Sequence, residues 1–166
     1  MRSEISRFLR DDHRRLDSLL ARAGADNPEE LAAYDQFRRG LLKHIGMEEK
    51  ILFVAASRMR GGDPLPEAAM LRLDHGALAA LLIPAPTPKI LHAIKTILTK
   101  HNAIEEASGG VYETCEELAG DDSEALLAQL KSAPEVPVSP NLTTPRVMEA
   151  IKHALARAGY EDLSVE

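Results

Sequence analysis

His44-Ile45-Gly46-Met47-Glu48-Glu49-Lys50-Ile51-Leu52-Phe53 decides how this chain is read. A step of four residues, from His44 to Glu48, carries a helix about 40° past a full revolution and one turn along its axis, so both side chains reach the same point beside it. The spacing recurs at His101-Asn102-Ala103-Ile104-Glu105, while His13 and His75 stand singly in two other segments of helical periodicity. Together these positions offer imidazoles from His13, His44, His75 and His101 and carboxylates from Glu48 and Glu105, a ligand set for a pair of metal ions.

Outward from that stretch, Tyr34, Phe37, Leu41, His44/Ile45, Glu48, Ile51/Leu52 and Ala55 follow a three-four alternation that only the polar pair interrupts. The helix opens at Asn27-Pro28-Glu29-Glu30, where Asn27 can cap, Pro28 suits the first turn and Glu30 is placed for a capping box. It runs to about Arg60, and Gly61-Gly62 stops it. A preceding helix, about Ser3 to Arg22, carries Ile5, Phe8, Leu9, Leu16, Leu19 and Leu20 on the face that holds His13. Asp63-Pro64 can cap and open a third, about Pro64 to Leu82, presenting Ala68, Leu71, His75, Leu78 and Leu82. Thr87-Pro88 opens a fourth, expected to continue to about Ala119 with Ile94, Ile97/Leu98, His101, Ile104/Glu105, Ser108, Val111/Tyr112 and Cys115 inward.

Short loops between long helices favour antiparallel neighbours, so the expected fold is all-α: an antiparallel up-down-up-down four-helix bundle over residues 1–120. Residues 121–166 form a C-terminal helical extension. It comprises a short helix over Asp121 to Lys131, an extended stretch punctuated by prolines from Ala133 to Pro145, and an amphipathic helix through Met148, Ile151 and Leu155. The extension either wraps the bundle or meets a second subunit, and the sequence is compatible with both.

A lone histidine on an apolar face is more often a hydrogen-bonded core residue than a ligand, but coincidence is harder to sustain for four. Two carboxylates buried in a bundle core without partners would cost several kcal/mol each, by rough reckoning, and a metal pair removes that penalty. The competing arrangement turns Glu48 and Glu105 to solvent and bonds the histidines to Ser108, Tyr112 or backbone. Glu49 and Glu106 lie about 100° further round their helices and point to the flank. Asp12 and Asp74 are expected as solvated charges, with support of a ligand as their other possible role. His92 and His153 fall outside the cluster, Cys115 reads as core filler, and the hydroxyl of Tyr112 faces either the metal region or solvent.

The formal net charge of −6 at pH 7 disfavours nucleic acid or an anionic membrane as partner, because either wants a dense basic patch. Arg10, Arg14, Arg15, Arg38 and Arg39 are interleaved with acids and read as solvated faces. Cys115, the single cysteine, excludes an intrachain disulfide or an all-thiolate metal site. With no signal-peptide run and no membrane-length apolar stretch, the expected compartment is cytoplasmic. The metalloprotease H-E-x-x-H, a P-loop and the serine-hydrolase elbow are all missing, and ferritin-like sites use Glu-x-x-His instead.

The segments His13-Arg14-Arg15-Leu16-Asp17, His44 to Phe53, Asp74-His75 and His101 to Glu105 resemble the hemerythrin-like, or HHE cation-binding, family over about residues 1–120. The resemblance implies a non-haem di-iron site with His13, His44, His75 and His101 as terminal ligands. Glu48 and Glu105 would bridge the two iron ions, with an oxo or hydroxo group (Fe–O–Fe) between them. Oxygen-carrying members have H-x-x-x-H on the third helix, where this chain has Ala79, and H-x-x-x-x-D on the last, where it has H-x-x-x-E. One imidazole fewer opens a further coordination position, which argues against a pure reversible oxygen carrier. Two H-x-x-x-E motifs are closer to the family's iron-centre repair proteins. Those commonly carry an added N-terminal cysteine-bearing region, whereas the bundle here begins at once. The resulting expectation is a protein that binds or reduces O2, NO or peroxide, with a redox or oxygen sensor or a repair protein as alternative. Manganese or zinc can replace iron in such a ligand set.

Overall fold

The structure, a computed structural model, describes residues 3–166, so Met1 and Arg2, with which the expected bundle begins, lie outside the described residues. The described chain is helical, with no strand among its elements. Helix α1 spans Glu4–Arg22 and α2 spans Pro28–Met47; a π-helical turn, Glu48–Leu52, joins α2 to α3, Phe53–Met59. Then follow α4, Ala68–Leu81; α5, Pro88–Glu106; α6, Val111–Ala119; α7, Ser123–Lys131; and α8, Pro145–Arg157.

Three of the N-termini follow directly from sequence. Asn27 accepts from Glu30 N at 2.9 Å, Thr87 from Ile90 N at 3.2 Å and Thr144 from Val147 N at 3.2 Å, each with proline in the next position. Helix α1 is capped from afar: Glu116 of α6 accepts from Ile5 N at 3.0 Å, Ser6 N at 3.2 Å and Ser6 Oγ at 2.9 Å. A carboxylate at these free N–H groups also meets the positive end of the helix dipole.

Three boundaries differ from the periodicity. Helix α4 starts at Ala68 rather than Pro64, because Leu65 precedes Pro66 and a residue before proline is pushed out of the helical region. The fourth helix does not run through to Ala119: it ends at Glu106, Gly109 takes φ 68°, and α6 restarts at Val111 on a new heading. Ser108, expected inward, is exposed in this break. The π turn adds one residue to the α2–α3 rod, so Phe53 and Ala56 join Leu52 in the interior while Ala55 is only half-buried at the edge of the second cluster.

Two apolar clusters fill the interior. One gathers Leu16, Phe37, Leu41, Leu78, Leu81 and Ile94 with residues of α8; the other gathers Leu9, Met47, Leu52, Phe53, Leu71 and Tyr112 with residues of α7. Each of the four candidate histidines falls between them: His13 between Leu9 and Leu16, His44 between Leu41 and Met47, His75 between Leu71 and Leu78, and His101 between Leu98 and Ile104. The polar residues thus form one layer sandwiched between two greasy ones.

Of the two placements open to the extension, the structure has it wrap the chain's own helices. Met148, Ile151, Ala154 and Leu155 of α8 complete the first cluster against α4. The linker before them is stapled to the end of α4. Buried Arg38 donates to Leu82 O at 3.0 Å and Ser139 O at 2.8 Å, and Asn141 Nδ2 donates to Pro84 O at 2.9 Å. No helix among the described residues is long and apolar enough to cross a membrane.

Candidate metal centre

All six candidate residues meet in the polar layer. His13 comes from α1, His44 from α2, Glu48 from the first residue of the π turn, His75 from α4, and His101 and Glu105 from α5; all are buried. His13, His44, Glu48 and Glu105 form one group whose ligand atoms lie within 4.8 Å of one another. Glu48, His75, His101 and Glu105 form a second, and the two groups share both glutamates. Across the layer, Nε2 of His75 is 3.0 Å from Glu48 Oε2, Nε2 of His101 is 3.0 Å from Glu105 Oε1, and the two Nε2 atoms are 3.1 Å apart.

The outer nitrogen of every ring is occupied. Nδ1 of His44 meets Asp12 Oδ2 at 2.8 Å, and Nδ1 of His75 meets Glu49 Oε1 at 2.7 Å. Nδ1 of His101 meets Asp74 Oδ2 at 3.1 Å, and Nδ1 of His13 meets Glu106 Oε1 at 2.5 Å. These carboxylates follow a cyclic order: α1 supports the ring of α2, the π turn supports that of α4, α4 that of α5, and α5 that of α1. In a neutral ring a carboxylate at Nδ1 draws the proton there and turns the Nε2 lone pair inward.

Sequence reading held support of a ligand only as the alternative role of Asp12 and Asp74, and gave none to Glu49 and Glu106. Glu49 and Glu106 do lie on the flank, but there each meets the histidine of the adjoining helix. Asp74, expected in solvent, is buried, and Asp12 is half-buried. The available signal was adjacency, since each supporting acid is the immediate neighbour of a candidate ligand on its own helix.

Tyr112 turns its hydroxyl to the centre rather than to solvent. It donates to Glu48 Oε1 at 2.6 Å or Glu105 Oε2 at 3.0 Å, and lies 3.0 Å from His13 Nε2 and 3.2 Å from His44 Nε2. The break at Gly109 and the hold of Glu116, one turn further along α6, on the start of α1 give α6 the heading that brings it there. His92 and His153 are exposed, away from the centre, and Cys115 is buried in the second cluster. Burial, with Glu48, Glu105 and Glu67 adding to it, pushes the Cys115 thiol up to about 12.

The donor set fits a metal. Glu48 Oε2 and Glu105 Oε1 are buried without a hydrogen-bond partner among the described residues. The Nε2 atoms near them offer lone pairs, not hydrogens, once Nδ1 holds the proton. Four nitrogen acceptors and two carboxylates therefore converge on a space whose one O–H is that of Tyr112, and cations stabilise such a centre. Protons compete for the same atoms. Burial opposes charge on His44, yet Glu48 and Asp12 outweigh it and raise the ring to about 10; for His101, Asp74 and Glu105 outweigh burial and raise it to about 10 as well. Burial works against ionised Glu48 too, but His44 and His75 hold it well below the usual carboxylate range.

Above the layer sits a small cavity that leaves about 10 Å³ for the centre of a water-sized molecule, walled by Leu16, Leu41, Ile45, Leu78 and Leu98. Roughly one water fits such a space.

The Hemerythrin HHE cation binding domain matches residues 4–132 of the chain, which belongs to that family. The match takes in every residue of the polar layer and its girdle. No curated protein and no solved structure matches the chain.

Proposed function

We propose that the chain is a cytoplasmic non-haem di-iron protein that binds or reduces a small ligand such as O2, NO or peroxide. The observation that carries the reading is the pair of four-residue groups sharing Glu48 and Glu105. Such sharing suits two cations, with His13 and His44 on one, His75 and His101 on the other, and both glutamates between them. The up-down-up-down reading of α1, α2, α4 and α5 is supported by the order in which each passes the two apolar clusters: Leu9 then Leu16, Leu41 then Met47, Leu71 then Leu78, Leu98 then Ile104.

When bound, an iron pair supplies exchange of two electrons between ferrous and ferric states and open positions for a small molecule. The chain's own residues do the rest. The girdle carboxylates fix each imidazole with Nε2 inward, Tyr112 closes the α6 side, and the apolar walls keep bulk water and larger molecules out. Anaerobic reconstitution with metal analysis tests the reading, followed by an absorption spectrum of the iron-loaded protein with and without azide. Two irons per chain and near-ultraviolet charge-transfer bands altered by azide are expected; fewer than two metals in every reconstitution eliminates the dinuclear reading. Catalytic rather than stoichiometric loss of peroxide, O2 or NO marks an enzyme.

A sensor, or a repair protein without turnover of its own, is the second reading, favoured by one contact. Helix α8 of the extension packs against α4, the helix that carries both His75 and Asp74, the residue that supports His101. Equal protease sensitivity of the extension in metal-free, ferrous and ferric samples would rule out the sensor.

A further inference from the structure

Beside the motif residues, the cavity has two polar groups in its lining, Asp17 and Asn102. Asp17 is exposed at the mouth, where a neighbouring groove of about 460 Å³ between α1 and α5 shares Asp17 and Leu98 with the cavity. Asn102 follows His101 on α5, and its Oδ1 is buried without a hydrogen-bond partner among the described residues. A buried amide with an unmade hydrogen bond costs free energy, so a group in this condition beside a ligand-sized space calls for a role. Half a turn about the terminal bond exchanges Oδ1 and Nδ2, so the same side chain can present two N–H donors to the same place.

We propose that Asn102 hydrogen-bonds the small molecule held in this cavity and determines which ligands are retained, favouring those with an anionic acceptor atom, such as azide or a reduced oxygen species, over neutral, weakly accepting diatomics such as CO. The inference rests on the di-iron reading above. The other polar groups are unsuited to the task. The Tyr112 hydroxyl is committed to Glu48 and Glu105, on the α6 side of the layer. Ionised Asp17 accepts but does not donate, and it repels an anion. Leu16, Leu41, Ile45, Leu78 and Leu98 supply no hydrogen bond at all.

Azide is the probe, added to iron-loaded full-length protein, with affinity read from the charge-transfer band and the bound azide followed by its infrared stretch. Asn102→Leu keeps the side chain's approximate size and removes both donors and the acceptor. It is expected to load the same iron per chain, weaken azide about tenfold or more, and shift the stretching frequency. Asn102→Asp keeps the shape and, when ionised, offers no donor, so it is expected to weaken azide further. The Asp variant also serves as the readout if the Leu variant fails to load iron. Unchanged azide affinity and an unchanged stretch in an iron-loaded variant overturn the inference while leaving the di-iron reading intact. A parent protein that takes up no iron overturns that reading, and the inference falls with it.

Discussion

His75 is held between two consecutive carboxylates: Glu49 Oε1 lies 2.7 Å from its Nδ1, and Glu48 Oε2 lies 3.0 Å from its Nε2. Consecutive residues of the turn point in different directions, so Glu48 enters the layer while Glu49 passes round its outside to the far edge of the same ring. Glu49→Gln keeps the size of the side chain but removes the charge that fixes the proton on Nδ1. Iron affinity is expected to fall about 10–100-fold, measured by competition with a chelator; an unchanged affinity would mean that the outer contact does not orient His75.

Tyr112→Phe removes the one hydroxyl from a centre made otherwise of acceptors. In the metal-free protein Glu48 Oε1 and Glu105 Oε2 lose their donor, and a stability loss of about 1–3 kcal/mol is expected from urea unfolding. Iron-loaded parent and variant should differ less, because cations satisfy the same oxygens.

The pH profile of the metal-free protein follows from the layer as well. His44 and His101, raised to about 10 from an ordinary 6.5, stabilise the fold fully below pH 6.5 and lose that contribution as pH rises towards 10. Glu48, held below its ordinary 4.5, contributes above that value and loses the contribution as pH falls through its lowered one. Circular dichroism should therefore show the melting temperature declining from pH 6.5 to 10 and again under acid. A flat alkaline limb would contradict the ion pairs.

Glu116→Ala uncaps α1 and frees α6 together. Three hydrogen bonds to the start of α1 disappear, at an expected cost of about 1–3 kcal/mol in unfolding free energy. Because Tyr112 lies one turn back on α6, its fluorescence, isolated in a Tyr34→Phe, Tyr160→Phe background, should also become more accessible to quencher. A stability change without that second effect would restrict Glu116 to capping.

Removal of residues 133–166 is expected to destabilise the remaining helices strongly, since Met148, Ile151 and Leu155 cover Leu78, Leu81 and Ile94 in the first cluster. A milder version is Ile151→Ala, for which about 2–4 kcal/mol is expected by chemical unfolding. An unaffected truncated protein would show the extension to be dispensable for the fold.

The helical class and the six motif residues were legible because their signals are local: three-four periodicity, proline after a cap, and histidine four residues before glutamate. Asn27, Thr87 and Thr144 cap as the sequence indicates. What escaped depends on how far round a rod each residue is turned. The π turn at Glu48 shifts every later position by one residue, and no local propensity announces it. Gly109-Gly110 did offer a break, yet the apolar pattern continued across it and masked the change of heading. Half of the girdle was hidden for another reason: Glu49 and Glu106 each reach a histidine on another helix, a relation that appears only when the rods stand side by side.

That cyclic arrangement makes the helices mechanically interdependent. Each rod carries a ring held by one neighbour and an acid that holds the ring of another, so a twist of any single rod loosens two imidazoles at once. The layer behaves like a keystone course, in which slippage at one joint is transmitted all the way round.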